Sequence, residues 1–142
     1  MADKIHVKIL TAEKTLFEDD AGMVTAPGLE GEFGVLPGHI SFIGALDIGV
    51  LQVKSSPKVE TPENLYAIHG GFLKVADDAV LVLATAAETQ NDIDPDRAKR
   101  ARERAEERLR SRDEKIDRVR AEAALKRALV RLRIASNRWM EA

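Results

Sequence analysis

Apolar and polar residues alternate near the start of the chain. Ile5, Val7 and Ile9 are set between Lys4, His6 and Lys8, the two-residue period of a strand with one buried face. Short apolar runs follow at 16–17, 22–25, 32–36, 41–46, 48–54, 65–69, 72–75 and 79–84, broken at 55–63 by a polar loop holding Pro57 and Pro62. Gly70-Gly71 and Ala76-Asp77-Asp78 predict tight hairpin turns. Many short strands with frequent turn signals predict a β-sandwich or flattened barrel.

The period changes between Glu88 and Ala98. All nine glycines lie at or before Gly71, and four of the five prolines at or before Pro62. The fifth, Pro95, suits a first helical position, where its missing N–H has no intrahelical partner anyway, with Asp94 as the cap before it. Beyond it, Ala98, Ala101, Ala105 and Leu109 form one narrow apolar stripe at helical spacing, and Ala121, Leu125, Ala128, Leu132, Ala135 and Trp139 form a bulkier one. The start signal occurs twice: Ile93-Asp94-x-x-Arg97-Ala98 recurs as Ile116-Asp117-x-x-Arg120-Ala121. Two copies mark an antiparallel helical hairpin, with helices at about 94–112 and 117–138, each about 30 Å long at 1.5 Å per residue. The domains expected are therefore 1–88 and 89–142.

Leu109 is the one large apolar residue on the first stripe, and a fully buried leucine contributes about 1.5–3 kcal/mol. Ordering each residue's backbone costs about 1–2 kcal/mol, so the hairpin is expected to depend on external contacts and to be able to change position.

Composition adds less. No apolar run approaches the roughly 20 residues that cross a bilayer, the first residues do not read as a signal peptide, and no cysteine is present for disulfide, thiolate or cysteine–zinc chemistry. Cytoplasm is the simplest compartment. The net charge of −2 hides an asymmetry: residues 1–91 carry 6 basic and 13 acidic side chains, and residues 92–142 carry 16 and 11. Thirteen of those sixteen cations are arginines, but they alternate with glutamates, and Trp139 alone could stack a base. That pattern is a solvated helix surface and argues against a nucleic-acid partner.

No catalytic constellation is present. His6, His39 and His69 are far apart and read as surface or turn histidines, and Asp19-Asp20 and Asp77-Asp78 as turn residues. Gly28 to Gly38 holds four glycines in eleven residues, which fits either a fold-defining double turn or a loop end presenting Glu30 and Glu32. Arg127 and Arg131 share a helix face opposite Asp94 and Arg97, an arrangement suited to gripping a phosphate or an acidic helix.

Several separated motifs resemble the epsilon subunit of the F-type ATP synthase over essentially the whole chain. They are Glu30-Gly-Glu-Phe-Gly-Val-Leu-Pro-Gly-His39, Gly70-Gly-Phe-Leu-Lys-Val75, Val80-Leu-Val-Leu-Ala84 with Glu88, Ile93-Asp-Pro-Asp-Arg-Ala98, and Leu125-Lys-Arg-Ala-Leu-Val-Arg-Leu132. The resemblance implies a ten-stranded β-sandwich followed by a mobile two-helix domain, without catalytic residues. Such a subunit sits in the rotor stalk of a proton-translocating enzyme, peripheral on the cytoplasmic face of the membrane and attached only through the complex. Its partners are the gamma subunit, the c-ring and, when the helices extend and obstruct ATP hydrolysis, the catalytic alpha and beta subunits. Glu30, Glu32 and His39 would face the c-ring and gamma, and Arg127, Arg131 and Arg133 the beta subunit. No cofactor is required, but some members bind ATP as a regulatory ligand. The matching positions here are Glu88, Ile93, Asp94, Arg97, Ala98, Arg127 and Arg131.

Overall fold

The computed structural model describes residues 3–136. Eight strands come first: β1 (Ile5–Leu10), β2 (Thr15–Ala21), β3 (Met23–Gly28), β4 (Gly31–Val35), β5 (Phe42–Lys54), β6 (Asn64–Ala76), β7 (Ala79–Ala84) and β8 (Ala87–Thr89). A 3₁₀ turn at Gln90–Asp92 leads into α1 (Pro95–Arg110) and α2 (Arg118–Ala135). The strands form a single hydrogen-bonded series in the order β2-β1-β7-β6-β5-β3-β4, with β8 beside β6. All pairs are antiparallel except β1 with β7.

Ile5, Val7 and Ile9 of β1 and Val24 and Ala26 of β3 lie in one buried core, although three strands separate β1 from β3 in the series. The sheet is therefore wrapped over on itself, giving the expected sandwich. Phe17 of β2 also meets Tyr66 of β6 edge to face, with ring centroids 6.3 Å apart.

The sandwich has eight strands rather than ten, and it is mixed. The segments 41–46 and 48–54 belong to the continuous β5, and 65–69 and 72–75 to the continuous β6. Gly70-Gly71 is not a hairpin turn. Both glycines have positive φ, 85° and 127°, inside β6, and a Cβ on Gly71 would lie 2.2 Å from the Leu83 carbonyl oxygen. β6 changes neighbours there, pairing with β8 before the glycines and with β7 from Gly71 onward. Ala76-Asp77-Asp78 does make a two-residue turn, with both aspartates at positive φ (50° and 56°). Asp19-Asp20, by contrast, lies within β2.

Both helix starts follow their sequence signals. The Asp94 carboxylate accepts from the backbone N–H groups of Asp96 and Arg97, and the Asp117 carboxylate from that of Arg120. Between the helices, Arg118 donates to the carbonyls of Leu109 and Ser111, which α1 leaves unsatisfied at its end. Ala98, Ala105, Ala121 and Ala128 are buried along the hairpin, and small side chains there let the backbones approach closely. Trp139 and the last residues expected in the second helix lie outside the described residues.

Ile134 lies off the predicted stripe and is fully buried. It forms a second core with Val50 of β5, Ala67 of β6 and Ile93, against which Val130 also packs. Val50 and Ala67 are cross-strand partners. They face away from the sandwich core because neighbouring side chains on a strand point to opposite faces. α2 thus has one alanine face toward α1 and a branched apolar face toward the sandwich.

Candidate functional site

The foot of the hairpin is built from the chain's change of period. Thr89 donates through its backbone N–H and its hydroxyl to the Asp92 carboxylate (3.0 and 2.9 Å), which fixes the 3₁₀ turn and holds that carboxyl below its ordinary range. Ile93 inserts into the second core, so that Asp94 caps α1 beside the sandwich. Glu88, Ile93, Asp94, Arg97, Ala98 and Arg131 then line one cavity of about 300 Å³. These are six of the seven positions expected to contact a nucleotide. Arg127 does not line the cavity, whereas Arg104 does.

Acid is plentiful there, since Glu88, Asp92 and Asp94 all line the cavity. Arg131 Nε donates to Glu88 Oε1 at 2.7 Å, and the same oxygen accepts from His69 Nε2 at 2.8 Å. Burial pushes the Glu88 carboxyl up, but the bonds from Arg131 and His69 outweigh it and leave the group ionised below its usual range. Arg97 and Arg104 make no ion pair among the described residues, so their guanidinium N–H groups are available to donate to an anion in the cavity.

His69 is the residue that the sequence did not disclose. Its side chain is 6% exposed, not a surface or turn histidine. Burial holds its pKa below the usual 6.5, and the charges of Arg131 and Arg127 act in the same direction. Arg133 is exposed on another face of α2, where it borders a groove with Arg102, Leu129 and Leu132. The three arginines expected to meet the beta subunit therefore do not share one face in this arrangement.

A second candidate surface lies on the sandwich. Glu30 and Glu32 border a shallow cavity of about 520 Å³ with Phe33, Phe42 and Ile43. His39 donates from Nδ1 to the Ile40 carbonyl at 2.7 Å, and its ring lies 6.2 Å from that of Phe42, which in turn lies 5.4 Å from Phe33. The glycine-rich segment is thus both a hairpin (β3–β4) and an exposed end, and it brings Glu30, Glu32 and His39 into one region. Across the neighbouring strands, Leu10, Leu83, Phe72 and Ala45 are successive register partners, a row over β1, β7, β6 and β5. Phe72 is 59% exposed and Leu83 46%, and Ile43 and Ile40 nearby are 70% and 77% exposed. These apolar side chains lie open on one side of the sandwich.

The class of protein is thus a β-sandwich with exposed apolar side chains on one face, joined to a helical hairpin. The family models for the beta-sandwich domain and the long alpha-helix domain of the ATP synthase delta/epsilon chain match residues 4–90 and 91–136. The chain is 47% identical over 137 residues to the ATP synthase epsilon chain of Nitratidesulfovibrio vulgaris, covering 96% of this chain and 99% of that one. It is 45% identical over 135 residues to that of Syntrophobacter fumaroxidans, covering 95% and 98%. Among solved structures, a chain of the Euglena gracilis mitochondrial ATP synthase (OSCP/F1/c-ring) superposes with a TM-score of 0.74 at 28% identity, over 89% of this chain and 78% of that one. The chain belongs to the ATP synthase epsilon-chain family, and as such is a non-catalytic subunit.

Proposed function

We propose that this chain works in the central rotor stalk of a proton-translocating F-type ATP synthase, where its sandwich joins gamma to the c-ring and its hairpin regulates ATP hydrolysis. The observation that carries the reading is the division of surfaces. The sandwich keeps an apolar row open on one side, while its other outward face is covered by α2 through little more than Ile134, Val130 and two ionic contacts. Glu30, Glu32 and His39 form the rotor-facing end. The chain is peripheral on the cytoplasmic face of the membrane and held there by its partners; none of the described helices is long and apolar enough to cross a membrane.

In this reading the hairpin leaves the sandwich, extends toward the alpha and beta subunits and obstructs hydrolysis. Release frees Arg131 from Glu88, so that Arg127, Arg131 and Arg133 can meet an acidic partner. ATP acts as a regulatory ligand of the docked form, with Arg97 and Arg104 available for its phosphates. The test is ATP hydrolysis by the assembled catalytic head carrying either the full chain or one ending at Asn91. A rise with the short form still bound is expected; an unchanged rate with binding intact would leave the hairpin without an inhibitory role.

A further inference from the structure

One buried histidine stands between the sandwich and the hairpin. His69 is on β6 immediately before the kink, Glu88 on β8 and Arg131 on α2, and a single carboxylate oxygen, Glu88 Oε1, accepts from both His69 Nε2 and Arg131 Nε. An ionised carboxylate can only accept, so Nε2 carries the proton and Nδ1 of the neutral ring is the bare nitrogen. That Nδ1 is buried and has no hydrogen-bond partner among the described residues.

We propose that His69 is a proton-operated latch on hairpin docking: protonation of its ring expels Arg131 from Glu88 and releases α2 from the sandwich. This rests on the reading of the hairpin as a releasable arm, and adds what triggers the release. A second ring proton would be placed on Nδ1, where nothing accepts it. The ring's new charge would also share the Glu88 oxygen with the Arg131 guanidinium, two cations on one carboxylate.

The charges around the ring are few. β8 contributes Glu88, and α2 contributes Arg131 and Arg127, both opposing a positive ring. On β5, Asp47 is engaged by Lys126 of α2. Asp92 of the 3₁₀ turn is engaged by Thr89, and Asp94 caps α1. Among the described residues Glu88 is therefore the one acid bonded to the ring, and docking commits it to Arg131.

The sign follows by linkage. His69 is held below 6.5 when docked, by burial first and then by the α2 arginines. It lies on the face of β6 that carries Ala67, which packs with Ile134 of α2, so departure of α2 removes the arginines and opens that face, and the ring returns toward the ordinary value. The docked state thus binds fewer protons than the released one. Docking is at full strength above about 6.5 and weakens as pH falls from there toward the docked value. A single proton taken up at an ordinary histidine limits the change in the released-to-docked ratio to about tenfold between pH 7.5 and 5.5.

The experiment uses the full chain with spin labels on Lys74→Cys in the sandwich and Glu122→Cys on α2. Distances are measured at pH 7.5 and 5.5 in the parent, in His69→Gln, whose amide can still donate to Glu88 but cannot charge, and in Arg131→Ala. The proposal expects a long-distance population that grows several-fold on acidification in the parent, and does not change with pH in His69→Gln. Equal acid response in the parent and His69→Gln would overturn it. So would a parent that stays docked at pH 5.5. In that case, release of Arg131→Ala or Ile134→Ala at pH 7.5 would confine the failure to the proton latch, whereas both variants docked at both pH values would remove the releasable arm as well.

Discussion

Lys126 of α2 donates to the Asp47 carboxylate of β5 at the point where the β5–β6 ladder is interrupted, with no pairing between Asp47 and Gly70. Eight residues further along α2, Ile134 is fully buried between Val50 and Ala67. The two contacts differ in size. Asp47 and Lys126 are 33% and 49% exposed, and a pair so open to water contributes about 0.2–1 kcal/mol. Truncating a buried isoleucine to alanine costs about 2–5 kcal/mol. Ile134→Ala should therefore speed amide exchange throughout α2 while leaving β5 and β6 protected, and Lys126→Ala should change it little. Equal effects would show that the Asp47–Lys126 pair holds the hairpin as strongly as the Ile134 packing does.

His6 and His69 are shifted in opposite directions. Hydrogen bonds to Glu18 and then Asp20 raise His6 above 6.5, whereas burial lowers His69. Stability from His6 is present in full below 6.5 and is lost as pH rises through its folded value; stability linked to His69 is present above 6.5 and is lost as pH falls. Proton resonances of the two rings followed by NMR should show midpoints on either side of 6.5. Glu18→Gln should bring His6 back toward 6.5 and leave His69 unmoved.

Phe72 lies in the apolar row across β1, β7, β6 and β5 and is 59% exposed. Phe72→Glu should leave the melting temperature of the isolated chain nearly unchanged, because no buried contact is lost. If the row is the rotor interface, loss of one aromatic anchor costs about 1–2 kcal/mol or more, so binding to the assembled complex should fall roughly tenfold or further. Unchanged binding would move the interface elsewhere.

ATP affinity should be low. Arg97 and Arg104 are the available cations of the foot cavity, Arg131 is already engaged by Glu88, and the Asp92 and Asp94 carboxylates oppose a polyphosphate. Calorimetric titration should give heat only as ATP approaches millimolar concentration, and Arg97→Ala should abolish it. No heat at millimolar ATP would remove nucleotide from the account.

The sequence made some elements legible because their signals are local. An aspartate, a proline and an alanine stripe specify a helix start within five residues, and the repeated Ile-Asp-x-x-Arg-Ala element placed both caps correctly. The Asp77-Asp78 turn was legible for the same reason. Gly70-Gly71 was not, because paired glycines signal positive φ without revealing whether the chain reverses or merely bends. That ambiguity divided β6 into two expected strands, as the break at Asp47 divided β5; the expected count of ten came from the family resemblance. His69 shares a face of β6 with Ala67, which packs with Ile134 of α2 some sixty residues away, and no local pattern announces that neighbour. Six of the seven expected nucleotide positions meet in one cavity, yet its engagement of Arg131 by Glu88 follows from docking and not from spacing.

If the hairpin obstructs hydrolysis, it must first leave the sandwich. The chain has no cysteine, so Asp47→Cys with Lys126→Cys supplies the two thiols for a short, reducible cross-link that holds α2 in its docked position. ATP hydrolysis by the assembled enzyme carrying the cross-linked chain should match that of the chain ending at Asn91, and fall again when the link is reduced. Hydrolysis as low with the link in place as without it would contradict the account.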